Sequence, residues 1–146
     1  MSFGRSHVCG MKSILFLLLT LTVQAAPPEK FWSALHQIES GCALGAIKGD
    51  YVNSQPHALG PYQIHMAYFI DSRVQGNYSQ CADLAFSRKV VTAYLQRYAP
   101  KAWAAGESGC EVLFRTHNGG PAATKAVGQK KKNLDRYSAK ALGLMQ

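Results

Sequence analysis

Phe31-Trp32-Ser33-Ala34-Leu35-His36-Gln37-Ile38-Glu39-Ser40-Gly41 is the stretch on which the reading of this chain turns. Phe31, Leu35 and Ile38 recur at helical spacing, and Trp32 and Ala34 broaden the apolar stripe. Pro27-Pro28, just ahead, suits a helix start, because proline is tolerated in the first turn. Gly41 suits the end, where glycine can take a left-handed conformation. The spacing therefore predicts a helix that stops near Ser40-Gly41. Glu39 falls in its last turn, beside an apolar face rather than on a charged one.

Downstream the texture changes. Gly45, Gly49, Asp50, Asn53, Ser54, Pro56 and Gly60 are turn formers spread through short apolar pieces, which predicts loops and a small, irregular β-hairpin ending in Gly60-Pro61-Tyr62-Gln63-Ile64. A short helix from Met66 to Ile70 follows. A second long helix is predicted from about Cys81 to Tyr98, with Leu84, Val91, Leu95 and Tyr98 on one face and Pro100 as its stop. Cys110, Leu113, Phe114 and His117 then fall at i, i+3, i+4 and i+7, until Asn118-Gly119-Gly120-Pro121 breaks the run. A last helix is predicted around Leu134, Tyr137 and Ala141. There is no repeat, low-complexity tract or internal linker. The sum is an α+β domain, mostly helical, with a minor hairpin.

Working upstream, residues 13–23 are an apolar run preceded by Lys12 and followed by Val23-Gln24-Ala25. A basic flank, a short apolar stretch and small residues before the cut describe a secretory signal peptide. The competing reading, a membrane anchor, needs a run of roughly 20 residues, which this one does not reach. Met11 directly precedes Lys12, so Met1 and Met11 both stand as starts. The organisation expected is a leader over residues 1–25 and one domain over residues 26–146, in a secreted, soluble protein without stable membrane insertion. That domain keeps 14 basic and 8 acidic residues, a net charge of +6, which draws it to polyanions such as bacterial surfaces. The only dense basic run, Lys130-Lys131-Lys132, lacks interleaved aromatics. It reads as a solvated helix face, not a nucleic-acid site.

Three cysteines remain after the leader: Cys42, Cys81 and Cys110. Secretion permits disulfides, so one bridge plus one leftover thiol is the simplest arithmetic. Their spacing matches no metal site, and no cofactor is called for.

The domain's acidic residues are Glu29, Glu39, Asp50, Asp71, Asp83, Glu107, Glu111 and Asp135. Cleaving a glycosidic bond asks for two carboxyl groups in unlike environments. One stays protonated near neutral pH through burial beside apolar groups, and the other stays ionised on a polar surface. Glu39, ending an apolar helix, and Asp50, on the hairpin, answer that description. Asp71, next to the short helix, is the fallback for the second.

Glu39-Ser40-Gly41-Cys42, then Gly60-Pro61-Tyr62-Gln63-Ile64, Tyr68 and Asp71, resemble the invertebrate-type (destabilase) lysozymes. The resemblance runs on through Cys81, Tyr94 to Ala99, Cys110-Glu111 and His117-Asn118-Gly119-Gly120-Pro121, covering roughly residues 33–138. It implies a lysozyme-like fold in which the hairpin forms one wall of a cleft. It also implies hydrolysis of the β-1,4 link between N-acetylmuramic acid and N-acetylglucosamine in peptidoglycan. Glu39 matches the family's acid, and Asp50 is the only carboxylate where the family's second one lies. The family also suggests a cleft lined by Tyr62, Gln63, Tyr68, His117 and Asn118. The stretch from Asp50 to Gly60 is a few residues longer than usual. Members are commonly disulfide-dense, so this is a divergent, cysteine-poor one. Cys81 and Cys110 match family cysteine positions, and a bridge between them would link the second and third helices, with Cys42 competing for either. With few staples, the fold is expected to rest on packing of Phe31, Trp32, Leu84, Val91, Leu113 and Phe114.

Two alternatives stand beside hydrolysis. A lytic transglycosylase would use Glu39 alone. A non-catalytic cationic antimicrobial or glycan-binding protein would keep the scaffold without the chemistry. No serine carries a flanking signature that commits it to the isopeptidase activity seen in some members. A monomer is expected.

Overall fold

The structure is a computed structural model that describes residues 25–146. The leader expected over residues 1–25 lies almost wholly outside the described residues. Six helices and one small sheet follow in order: α1 (Glu29–Ser40), β1 (Lys48–Val52), β2 (Gln55–Leu59), β3 (Ile64–His65), α2 (Met66–Ser72), α3 (Leu84–Tyr98), α4 (Pro100–Ala104), α5 (Cys110–Gly119) and α6 (Gly128–Gly143). The architecture is the α+β arrangement, mostly helical with a minor hairpin, that the sequence predicts.

Helix α1 ends as its sequence dictates. Gly41 has φ 64°, and its N–H donates to the Gln37 carbonyl at 3.0 Å. Its apolar stripe is buried: Phe31, Trp32, Ala34 and Leu35 are all within the core. Phe31 packs on Phe114 of α5 with ring centroids 4.6 Å apart, and Trp32 meets Trp103 at 6.3 Å. Of the residues expected to replace staples, Phe31, Trp32, Val91, Leu113 and Phe114 are buried, and Leu84 is half-buried. Full burial of such side chains stabilises by roughly 1.5–3 kcal/mol each. α5 sits centrally, packed against α3, α4 and α6.

Helix α3 starts later than the periodicity suggests. Asp83 caps it, its Oδ1 accepting from the Phe86 N–H at 2.7 Å, so Cys81 belongs to a preceding 3₁₀ turn, Tyr78–Ala82. Among the described residues no helix is long and apolar enough to cross a membrane. Lys130, Lys131 and Lys132 are exposed in the first turns of α6, as a solvated face should be.

The sheet has three antiparallel strands in the order β1-β2-β3. Asn53 and Ser54, with φ 49° and 64°, make the two-residue turn between β1 and β2, the positive-φ geometry that matches strand twist. Gly60 is required where the chain leaves β2. A Cβ there would fall 1.8 Å from the Cys81 carbonyl oxygen, and φ is 82°.

The disulfide expectation is overturned. Cys42, Cys81 and Cys110 are all free thiols. Cys81 and Cys110 are fully buried and pack as small apolar side chains, with burial pushing both thiols up to about 11. The Cys110 thiol faces the Gly106 carbonyl at 3.6 Å, and exposed Cys42 donates to Gln37 Oε1 at 3.0 Å.

Candidate active site

The end of α1 is fastened to the sheet by the residue after Glu39. Ser40 Oγ donates to the Pro61 carbonyl at 2.8 Å, and His36 Nε2 lies 2.8 Å from the Ala43 carbonyl. Gln63 braces the same corner: its Nε2 donates to the carbonyls of Gly60 (2.9 Å) and Ile47 (3.3 Å). Gly49 makes room for it, since a Cβ at that position would lie 1.8 Å from Gln63 Oε1. The Glu-Ser-Gly and Gly-Pro-Tyr-Gln-Ile segments, whose joining contact spans 21 residues, are thus two sides of one joint.

Between them opens a cleft of about 410 Å³ lined by Glu39, Asp50, Ala58, Gln63, His65, Tyr68, His117 and Asn118. Six of the seven residues singled out from the sequence therefore meet there. Tyr62 does not. It is buried beneath the wall, its ring 5.9 Å from Trp32 and 5.7 Å from His36, and it borders a separate groove. Asp71 is exposed on α2 and lies outside the cleft lining.

Glu39 is the buried carboxyl. Its side chain is 14% exposed, and burial pushes it up from 4.5 to about 7, against the opposing effect of a hydrogen bond from the Tyr137 hydroxyl to Oε1. His117 Nε2 is 3.6 Å from that same oxygen. This is not an ion pair, because burial lowers the imidazole to about 4 in spite of a hydrogen bond with the Tyr62 backbone. Between pH 4 and 7 the acid is protonated and the imidazole neutral, so this Glu39–His117 pair carries no net charge there. His117 Nδ1 is 3.0 Å from Tyr68 Oη, and the Tyr68 ring stacks on Tyr94 at 3.5 Å. His117 thus sits on a braced aromatic pair, at the last turn of α5, which Gly120 then terminates with φ 78°.

Asp50 is held in the opposite environment. Its side chain is 60% exposed, and Oδ2 lies 3.0 Å from His65 Nε2. The β1–β2 register is continuous on both sides of it, Gly49 with Ala58 and Tyr51 with Pro56, yet Asp50 itself forms no bridge. Its φ of 50° explains the gap, a left-handed conformation that aspartate tolerates better than most residues. The twist lifts one carboxylate out of the strand's alternation and into the cleft.

Two residues at the site carried no signal in the sequence. Tyr137 reads only as a core position of the last helix, and nothing marks its contact with a carboxyl 98 residues away. His65 follows the Gln-Ile pair without a motif of its own. Both are visible only once α6 and β3 are in place.

The geometry has counterparts. A family model described as Destabilase matches residues 30–139. Invertebrate-type lysozyme 3 of Caenorhabditis elegans is 31% identical over 131 residues, covering 81% of this chain and 88% of that protein. A crystal structure of Aeromonas hydrophila PliI in complex with Meretrix lusoria lysozyme superposes with a TM-score of 0.58 at 28% identity, covering 77% of this chain and 89% of the matched one. Tapes japonica lysozyme superposes with a TM-score of 0.56 at 25% identity, covering 82% and 91%. Family pattern, relatives and fold agree: this chain belongs to the Destabilase family and is a lysozyme-type glycoside hydrolase.

Proposed function

We propose that this chain hydrolyses the β-1,4 link between N-acetylmuramic acid and N-acetylglucosamine in bacterial peptidoglycan, with Glu39 as general acid and Asp50 as the partner carboxylate. The observation that carries this reading is the contrast between two carboxyl groups on one cleft. Glu39 is buried and pushed up to about 7, while Asp50 is 60% exposed beside an imidazole. Glu39 gives its proton to the glycosidic oxygen as the bond from that oxygen to C1 breaks. The Asp50 carboxylate meets the positive charge that develops at C1, by electrostatic stabilisation or by bonding to it. Water then completes the substitution at C1, and its proton restores Glu39. Gln63, Tyr68, His117 and Asn118 line the place where the sugars would lie. Tyr68 and His117 are fastened to each other, which suits a preorganised wall.

The net charge of the domain supports attraction to anionic bacterial envelopes, an effect that weakens with salt. The apolar run at residues 13–23 supports secretion. A role in antibacterial defence or in digestion of bacteria follows from such a substrate.

The test is Asp50→Asn, assayed on purified peptidoglycan with analysis of the released ends. Hydrolysis predicts reducing ends from the wild type and a loss of at least about a hundredfold in the variant. Undiminished activity in Asp50→Asn, with 1,6-anhydro ends as product, would establish a transglycosylase instead.

A further inference from the structure

Helix α6 contributes one polar atom to the surroundings of Glu39, from outside the cleft lining. Tyr137, on the same helix face as buried Leu134 and Ala141, is half-buried against the core, and its hydroxyl donates to Glu39 Oε1. The other groups that face Glu39 do not share this task. His117 of α5 is beyond hydrogen-bond distance at 3.6 Å and is committed at Nδ1 to Tyr68. The Tyr68 hydroxyl of α2 is occupied by that same imidazole. Asp50 of β1 and His65 of β3 line the cleft too and are paired with each other.

We propose that Tyr137 is a positioning residue for the reaction: its hydroxyl holds Glu39 Oε1 as an acceptor, so that the proton to be donated resides on Oε2. The inference rests on the reading of Glu39 as general acid. Its physical content is twofold. A carboxyl with one oxygen fixed by an outside donor has a single orientation and a single proton-bearing atom, which removes rotamers that cannot react. The same hydrogen bond is stronger to the carboxylate than to the acid, and so opposes the desolvation that holds the proton on. Burial and the neighbouring carboxyl both push the Tyr137 phenol upward, so it remains a donor throughout the working pH range.

Tyr137→Phe keeps the ring and removes the donor. Losing the bond favours the protonated acid, so the alkaline limb of the kcat profile, where Glu39 loses its proton, moves up by roughly one pH unit. On the plateau kcat falls roughly tenfold, with KM within about twofold. A thermal melt confirms that the variant is folded. A second, nearly isosteric replacement, Tyr137→difluorotyrosine, makes a stronger donor and shifts the limb in the opposite direction, down. A merely structural role would lower the melting temperature in either variant without moving the limb. Opposite shifts in the two variants establish the inference; a limb that stays in place in both overturns it. Glu39→Gln run in parallel separates the two claims. If that variant is inactive while the Tyr137 variants leave the limb unmoved, the acid assignment stands and the positioning role falls. If Glu39→Gln is active, the acid assignment itself is lost.

Discussion

Glu39→Gln should stabilise this protein, and the gain should appear only as the pH rises. The wild-type carboxyl is 14% exposed and pushed from 4.5 to about 7, chiefly by desolvation. A folded-state value above the unfolded one means that the native state holds its proton more tightly. Below pH 4.5 both states are protonated and the shift costs nothing. The cost grows as pH climbs from 4.5 and is complete above about 7, because ionising Glu39 then opposes folding. A displacement from 4.5 to about 7, at about 1.4 kcal/mol per unit, amounts to roughly 3.5 kcal/mol. Glutamine has nearly the same volume and never ionises. Thermal melts of both proteins at pH 4 and pH 8 read the effect. The difference in melting temperature, variant minus wild type, should grow between those pH values by roughly 14 °C, taking about 4 °C per kcal/mol for a domain of this size. His117 titrates in both proteins, so its contribution cancels in that difference. Curves that run parallel from pH 4 to pH 8 would refute the claim that Glu39 is held protonated by burial.

Other outcomes follow from the same structure. In the Glu39→Gln background, where the opposing titration of Glu39 is gone, the protein should lose stability as pH falls from 6.5 towards 4, because His117 is lowered to about 4 in the folded state and the unfolded chain takes up its proton first. His117→Gln should flatten that slope in a urea titration series. Phe114→Ala removes a side chain with no exposed surface from its contact with Phe31 and should cost about 3–5 kcal/mol by urea denaturation. Of Cys42, Cys81 and Cys110, only Cys42 should react with iodoacetamide in the native protein. The other two should label only after denaturation without reductant, as mass spectrometry would read.

How far the sequence went depends on whether a feature is written in local spacing. Gly41 announces the end of α1 because only its left-handed φ suits that position, and Cys110, Leu113, Phe114 and His117 are all buried along one helix face. Those elements were legible in the spacing, and the gathering of Glu39 with His117 and Asn118 through the family resemblance alone. The start of α3 was displaced by a local competitor, the Asp83 cap, which a periodicity argument does not weigh. The position of Asp50 in the cleft depends on a left-handed residue inside a strand, whereas alternation assumes regular pleating. Tyr62 looked like part of the cleft by its place in a motif, yet the turn between β2 and β3 directs it under the wall against Trp32. Tyr137 reaches Glu39 only through the docking of α6, a long-range contact with no local signature. The disulfide was inferred from compartment and cysteine number. Packing has instead used Cys81 and Cys110 as core side chains.

The central claim, that Glu39 is the proton donor, is tested most directly by the release of reducing ends from purified peptidoglycan by wild type and Glu39→Gln at pH 6. Glutamine keeps the shape and cannot donate a carboxylic proton, so the account predicts a fall of at least about a thousandfold, with the variant still folded and still bound to the polymer. Equal rates from the two proteins would contradict it.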